Sequence, residues 1–117
     1  MKILIVEDDA DSGEALTDLL IAQGHAVRLV QDPERAAAEA LEFLPDVAIL
    51  DIGLPFTSGY DLIEILRALP SLRGCRYLAV TGYVDRHFAE RSAASGFEHH
   101  LTKPLHWPRL LRCIEKG

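Results

Sequence analysis

Short apolar runs alternate with longer segments in which apolar residues recur at helical spacing, and this alternation occurs five times along the chain. The predicted strands are Ile3–Val6, Ala26–Val30, Val47–Leu50, Tyr77–Val80 and Glu98–Thr102. The predicted helices run from about Ser12 to Gln23, from Pro33 to about Leu44, from Asp61 to Leu69, from Asp85 to Ser95, and from Leu105 or Trp107 to Lys116. Apolar strands that alternate with helices are typical of a parallel sheet covered on both faces. We therefore expect an α/β fold and a single domain over residues 1–117.

Residues typical of helix ends support these bounds. Asp32 places a capping carboxylate before Pro33, and Gly24 and Pro45 follow the first two helices. In the third helix, apolar residues fall on one face at Leu62, Ile65, Leu66 and Leu69. This spacing is typical of a helix with one packed face.

The composition is that of a soluble globular protein, because 49% of the 117 residues are hydrophobic and 26% are charged. No apolar run approaches the roughly 18 residues of a membrane span. The apolar start is only four residues long before Glu7, which argues against a secretory signal. We therefore expect a cytoplasmic protein with no membrane contact. Cys75 and Cys113 lack the spacing of zinc ligands, and reduced thiols in or near the core are expected.

The formal net charge of −6 argues against a nucleic-acid partner, because the basic surface that binds phosphate backbones is missing. Part of the negative charge is concentrated after the first strand, at Glu7, Asp8, Asp9 and Asp11. This cluster is either a solvated loop or half of a cation site. Taken singly, Asp9 and Asp11 fit a turn or a helix cap.

Five polar residues lie at or just after the ends of predicted strands. Glu7 and Asp8 follow the first strand, and Asp51 follows the third. Thr81 follows the fourth strand and Lys103 the fifth. Because ligand sites of open parallel sheets form beyond the carboxyl ends of the strands, these residues are expected to meet at one edge.

The chemistry of these five residues is complementary. Carboxylates held close together either take up protons or bind a hard cation, and oxygen ligands suit Mg²⁺. Thr81 offers a hydroxyl to a phosphoryl oxygen, and Lys103 offers a mobile positive charge. Together with a carboxylate nucleophile, these groups indicate an aspartyl-phosphate site.

Four segments resemble the receiver domains of two-component response regulators, with that family's spacing across essentially the whole chain. They are Ile3–Asp9, Asp46–Pro55, Val80–Gly82 and Leu101–Pro104. The resemblance implies a five-stranded parallel sheet of order 2-1-3-4-5 with helices on both faces, a flavodoxin-like fold. It also implies Mg²⁺ as cofactor. The implied phosphoryl donor is a phosphohistidine on a sensor histidine kinase or a histidine phosphotransfer protein.

The same resemblance assigns a role to each matching residue. The implied metal ligands are Glu7, Asp8, Asp51 and the backbone carbonyl of Gly53, with Asp8 a more direct ligand than Glu7. Asp51 would be the phosphoacceptor, Thr81 the switch hydroxyl, and Lys103 the ammonium group that pairs with the phosphate. Gly53 and Tyr83 occupy positions that tune phosphate lifetime in this family, and we expect Tyr83 to shield the acyl phosphate from water.

One position departs from the family pattern. The family usually has Phe or Tyr three residues before the lysine, and this chain has His100. Either His100 takes over the rotamer switch, with some pH sensitivity, or it is a partly exposed strand residue without a role. A metal site on His99 and His100 is rejected, because adjacent strand residues point to opposite faces.

Output is expected through protein–protein contact, because the chain ends just after the last predicted helix. By resemblance the partner surface lies over residues 85–116, with Phe88 and Trp107. The alternative is a solvated surface with Trp107 packed at the end of the core. A receiver that stands alone and one cut from a hybrid kinase look the same in this sequence.

Two enzymatic or ligand-binding alternatives fit the sequence less well. A hydrolase with an aspartyl-phosphate intermediate would want a second acid at the position of Gly53. A flavodoxin-like nucleotide binder needs a phosphate-binding loop after the first strand, where the acidic cluster repels phosphate. We therefore expect a phosphoacceptor switch, catalysing at most its own phosphorylation and dephosphorylation.

Overall fold

Five parallel strands form the central sheet, in the order β2-β1-β3-β4-β5. The structure, a computed structural model, describes residues 1–54, 58–82 and 88–116. The strands are β1 (Lys2–Val6), β2 (Ala26–Val30), β3 (Val47–Asp51), β4 (Arg76–Thr81) and β5 (His99–Thr102). The predicted α/β fold with strand order 2-1-3-4-5 is confirmed.

Helices connect the strands and cover both faces of the sheet. They are α1 (Ala10–Ala22), α2 (Ala36–Phe43), α3 (Gly59–Arg67), α4 (Phe88–Ser95) and α5 (Trp107–Lys116). Two short 3-10 turns, Pro33–Arg35 and Pro70–Leu72, precede α2 and β4. The predicted start of the fourth helix at Asp85 lies outside the described residues.

Side-chain caps explain why two helices begin earlier than predicted. The Ser12 amide donates to Asp9 Oδ2 over 3.1 Å, so Asp9 caps α1 at Ala10. The Asp61 amide donates to Ser58 Oγ over 3.1 Å, and Ser58 thereby caps α3. The expectation that Asp9 is a cap is confirmed.

Two hydrophobic clusters lie on opposite faces of the sheet. One cluster combines α2 and α3 with alternate residues of the central strands, and the other combines α1 and α5 with the remaining ones. Strands β1 and β3 are therefore buried on both faces, as the continuous apolar runs predict. Both clusters end at the carboxyl edge of the sheet, where the polar residues follow.

The predicted packing face of α3 is partly wrong. Ile65 is 52% exposed, whereas Ile63 is fully buried. The buried stripe is Gly59, Leu62, Ile63 and Leu66. A Cβ atom on Gly59 would lie 2.8 Å from the carbonyl oxygen of Asp51. The backbone of α3 therefore lies directly against the end of β3, and this contact sets the helix rotation.

The two cysteines are free thiols, as expected, with Cys113 buried and Cys75 half-buried. Within residues 1–54, 58–82 and 88–116, no helix combines the length and apolar character that a membrane crossing requires.

Candidate functional site

Three carboxylates meet at the carboxyl edge of the sheet. Glu7 directly follows β1 and Asp51 ends β3, and these strands are hydrogen-bonded neighbours with Val6 opposite Leu50. One oxygen from each of Glu7, Asp8 and Asp51 lies within 4.8 Å of the other two. Glu7 and Asp51 are only 5% and 8% exposed, whereas Asp8 is exposed. The acidic cluster after the first strand is therefore more than a solvated loop.

An ammonium group from the far side of the sheet completes this arrangement. Lys103 follows β5, and its Nζ contacts Glu7 Oε1 and lies 3.1 Å from Asp51 Oδ2. The Lys103 amide donates to the carbonyl of Thr81 over 2.8 Å, which continues the β4–β5 ladder past the strand ends. The peptide bond between Lys103 and Pro104 is cis. We call Glu7, Asp8, Asp51 and Lys103 the carboxyl-edge site.

Glu7 is protonated unusually easily. Burial, followed by a hydrogen bond to Asp51, raises the pKa of Glu7 to about 7, although Lys103 acts in the opposite direction. Near neutral pH the protonated Glu7 carboxyl can therefore donate a hydrogen bond to the Asp51 carboxylate. This shared proton relieves the repulsion between the two buried acids.

Asp51 remains ionised beside Glu7. Burial alone would raise the pKa of Asp51, but hydrogen bonds from Glu7, from the Gly53 amide and from Lys103 together lower it. The Gly53 amide donates to Asp51 Oδ1 over 2.9 Å. Burial alone would lower the pKa of Lys103, and its contacts with Glu7 and Asp51 raise it instead. The site thus holds an ionised carboxylate beside a positively charged ammonium group.

The donor set fits a hard divalent cation. The atoms that converge are carboxylate oxygens, and one of the three acids, Asp8, is open to solvent. Oxygen ligands with room for water suit Mg²⁺ better than they suit Zn²⁺, which favours nitrogen and sulfur. The residues that could hold such an ion are Glu7, Asp8 and Asp51.

Thr81 and His100 lie on the same face of the sheet. Thr81 ends β4 and is 4% exposed, and it lies one residue beyond Val80, the partner of Asp51. His100 is half-buried in β5 and pairs with Ala79, two residues before Thr81. Because side chains of paired residues share a face, His100 and Thr81 share one as well. His99 faces the opposite side, which agrees with the rejection of a His99–His100 metal site.

Two further predictions are not tested. The predicted role of Gly53 concerns its carbonyl, whereas the observed contact uses its amide. Tyr83, predicted to shield the acyl phosphate, lies outside the described residues. The roles of Gly53 and Tyr83 therefore stay predictions.

Sequence reasoning missed an apolar cleft beside the carboxyl-edge site. The cleft has a volume of about 290 Å³ and lies between α1 and the segment that joins β5 to α5. Its outer walls include Ser12, Ala15, Leu16, Pro104, Leu105 and Trp107. The Trp107 side chain is 37% exposed, so it is neither fully packed in the core nor fully open to solvent. The apolar residues directly after Lys103, Pro104 and Leu105, are the sequence feature from which this cleft could have been predicted.

Comparison with known proteins agrees with this geometry. The response regulator receiver domain family matches residues 3–115. The polar-differentiation response regulator DivK of Brucella anthropi is 30% identical over 114 residues, which cover 97% of this chain and 93% of DivK. The two-component response regulator PhoP of Pseudomonas aeruginosa is 34% identical over 110 residues. These residues cover 94% of this chain and 48% of PhoP, so the chain spans about half the length of that relative.

A solved structure shows the same fold. The chemotaxis protein CheY4 of Vibrio cholerae superposes with a TM-score of 0.90 at 23% identity, covering 98% of this chain and 96% of CheY4. The flavodoxin-like arrangement of strands and helices is therefore shared with a chemotaxis protein. Because the family match covers residues 3–115, nearly the full length of this chain, the chain belongs to the response regulator receiver domain family.

Proposed function

We propose that this protein is a phosphorelay receiver that accepts a phosphoryl group on Asp51 and then changes a protein–protein contact. The observation that carries this proposal is the placement of Asp51, buried to 8% exposure between Glu7 and the ammonium group of Lys103. A carboxylate kept ionised in such a place is a suitable nucleophile for phosphoryl transfer. The family membership supports the same role.

The proposed donor is a phosphohistidine of a sensor histidine kinase or a histidine phosphotransfer protein. One carboxylate oxygen of Asp51 attacks the phosphorus, and a new oxygen–phosphorus bond forms. The phosphorus–nitrogen bond breaks, and its electron pair remains on the imidazole, which takes up a proton. The products are an acyl phosphate on Asp51 and a free histidine.

The remaining residues of the site position and neutralise charge. Lys103 contacts Asp51 Oδ2 and offers its positive charge to the incoming phosphoryl group, while the Gly53 amide holds Oδ1. Glu7, Asp8 and Asp51 would hold Mg²⁺, joined by the predicted fourth ligand, the Gly53 carbonyl. When bound, the ion supplies positive charge that offsets the charge of the phosphoryl oxygens.

We further propose that the signal leaves through the surface of α4, β5 and α5, within residues 85–116. Thr81 would turn its hydroxyl toward the phosphoryl group, and His100, on the same face of the sheet, would follow that movement. The half-buried position of His100 supports this role, because a partly buried ring can move between inner and outer positions.

The proposal includes residues 1–117 acting as one receiver domain that turns over no external substrate. A cytoplasmic location is part of it, supported by the free thiols of Cys75 and Cys113.

Incubation with acetyl phosphate and Mg²⁺, followed by intact-mass measurement, tests the proposal. We expect one added phosphoryl group, absent when a chelator is present during the incubation and absent in Asp51→Asn. Asp18→Asn, which changes an exposed acid of α1 in the same way, is the matched control and should be phosphorylated like the parent. Turnover of unrelated phosphoesters without a stable adduct would favour a hydrolase instead.

A further inference from the structure

A second polar cavity lies at the opposite end of the sheet from the carboxyl-edge site. It has a volume of about 400 Å³ and lies between the end of α3, the Pro70–Leu72 turn and the start of β4 and β5. Its polar walls are Arg67, Arg73, Cys75, Arg76, Tyr77 and Glu98. We call it the arginine cavity. The length of strand β4, about 16 Å at roughly 3.3 Å per residue, separates the arginine cavity from the carboxyl-edge site.

The arginine cavity carries positive charge in a chain whose net charge is −6. Three guanidinium groups line it, and Glu98 is the carboxylate among its walls. That carboxylate is already paired with Arg76, whose Nη2 lies 2.9 Å from Glu98 Oε1. The side chain of Arg76 is further held by the carbonyl oxygen of Ile114, so it is a fixed part of the wall. The unbalanced charge therefore resides on Arg67 and Arg73.

These two guanidinium groups retain donors for a ligand. Arg67 Nη1 donates to the Ser95 carbonyl over 3.1 Å, which orients the side chain. Its Nε and Nη2 have no hydrogen-bond partner among the described residues. The Arg73 amide donates to the Pro70 carbonyl, but its exposed side chain forms no hydrogen bond or ion pair within residues 1–54, 58–82 and 88–116. A guanidinium group presents several N–H donors in one plane, which matches the geometry of carboxylate and phosphate oxygens.

A buried hydroxyl without a hydrogen-bond partner points independently to a ligand. Tyr77 is 4% exposed, and its buried hydroxyl forms no hydrogen bond of ordinary geometry in the described part of the chain, only a weak interaction with the Cys75 thiol. Leaving a buried hydroxyl unpaired is unfavourable, so such groups are rare unless water or a ligand satisfies them. The nearby thiol of Cys75 is a weak partner. Burial raises the pKa of Tyr77, so this hydroxyl remains a donor at neutral pH.

The other ionisable neighbours do not oppose a negative ligand strongly. Burial raises the pKa of the Cys75 thiol to about 11, so Cys75 is neutral at physiological pH. Asp46 is close enough to Cys75 to contribute to that rise, but it does not line the cavity, and its carboxylate accepts from the Lys2 amide.

We propose that the arginine cavity binds a small organic anion whose phosphate or carboxylate group contacts Arg67, Arg73 and the Tyr77 hydroxyl. The volume falls in the range of small-molecule sites, and one side of the cavity is open for a ligand to enter. The Asp51 phosphoryl group is not this ligand, because it lies at the other end of the sheet. The inference therefore stands independently of the proposed phosphoryl transfer.

Two-dimensional amide NMR titration of the full chain tests the proposal. The probes are inorganic phosphate, phosphoglycolate and citrate, each compared with sodium chloride of equal ionic strength. We expect saturable shifts at residues 67–77 and 96–98 with at least one probe, and the comparison of the three distinguishes phosphate from carboxylate recognition. Shifts that match those in chloride would overturn the proposal. So would binding of an acidic peptide without binding of any small anion.

Two variants locate the site. Tyr77→Phe keeps the ring and removes the unpaired hydroxyl, and it should weaken binding by about fivefold. Arg73→Gln should weaken it by about tenfold or more. Arg112→Gln, an equal change of charge on the exposed side of α5, is the matched control and should bind like the parent. Equal losses for Arg73→Gln and Arg112→Gln, or no loss for Tyr77→Phe, would contradict the assignment.

Discussion

The two ends of strand β4 adjoin regions of opposite charge. Thr81 ends the strand beside the carboxyl-edge site, where three carboxylates cluster and two of them contact the ammonium group of Lys103. Arg76 begins the strand in the arginine cavity, which three arginines line and where Arg76 pairs with the carboxylate of Glu98. Each end leaves charge of one sign incompletely balanced in a partly buried place. Each end is therefore suited to a ligand of the other sign.

The two regions differ in how the chain builds them. Glu7, Asp51 and Lys103 each come within one residue of the end of a strand, so sheet formation alone brings them together. The arginine cavity requires α3, the Pro70–Leu72 turn and the start of β5 to close around Tyr77. The order of the strands in the sheet is enough to form the carboxyl-edge site, whereas the arginine cavity forms only when the surrounding elements pack together. The following predictions test this contrast, in order of expected effect.

Removal of the ammonium group should have a large effect at the carboxyl edge. Lys103→Met leaves Glu7 and Asp51 without their positive neighbour and takes away the charge offered to the phosphoryl group. We expect phosphorylation by acetyl phosphate to slow by about 100-fold, the size typical of losing one charge-stabilising donor. Arg112→Met, the control for loss of a surface charge, should react at the parent rate. Equal rates for Lys103→Met and the parent would remove Lys103 from the mechanism.

The raised pKa of Glu7 predicts a particular dependence of stability on pH. Between the ordinary value of 4.5 and about 7, the folded protein binds a proton on Glu7 that the unfolded chain has lost. The free energy of unfolding should therefore fall as pH rises from 5 to 8 in the presence of a chelator, by up to about 3 kcal/mol. Urea denaturation at several pH values measures this slope.

A matched pair of variants tests whether Glu7 causes this pH dependence of the free energy of unfolding. Glu7→Gln should flatten it, because glutamine does not titrate. Glu14→Gln, at an exposed position of α1, should keep it. A slope of the same size in Glu7→Gln would assign the pH dependence to another group.

The contact between α3 and β3 predicts a sensitive glycine. A Cβ on Gly59 would lie 2.8 Å from the Asp51 carbonyl and 2.9 Å from Ile52 Cα. Gly59→Ala should therefore lower the free energy of unfolding by about 1–3 kcal/mol, as overpacking does. Gly74→Ala is the control, because nothing lies within 4 Å of the added atom. It should be neutral or stabilise by less than about 1 kcal/mol. Equal effects of the two substitutions would contradict the close contact.

The smallest expected effect concerns His100. If the ring takes part in the switch, His100→Ala should still be phosphorylated but should show smaller NMR shifts in α4 and α5 on phosphorylation. His106→Ala, at an exposed position before α5, should keep the parent response. Identical responses of His100→Ala and the parent would make His100 an ordinary strand residue.

Much of the carboxyl-edge site was predictable because its residues follow apolar runs directly. A strand such as Val47–Asp51 is recognisable from its own sequence, and parallel strands end at one edge. The rotation of α3 was not predictable in this way. Leu62 and Leu66 fit a stripe with either Ile63 or Ile65, and only the contact of Gly59 with β3 decides between them.

The arginine cavity could not be predicted from the sequence either, because its residues come together only through packing. Arg67, Arg73 and Tyr77 carry no recognisable spacing, because they belong to a helix end, a turn and a strand. Tyr77 is a common residue for an apolar strand, and its hydroxyl becomes informative only when burial leaves it unpaired. Side-chain partners of this kind depend on the packed structure.

The position of the phosphoryl group tests the central claim most directly. After phosphorylation with acetyl phosphate and Mg²⁺, borohydride reduction of the acyl phosphate leaves a homoserine that tandem mass spectrometry can locate. We expect the homoserine at Asp51, with Glu7 and Asp8 unmodified. Reduction at another carboxylate, or none in the phosphorylated protein, would contradict Asp51 as the phosphoacceptor.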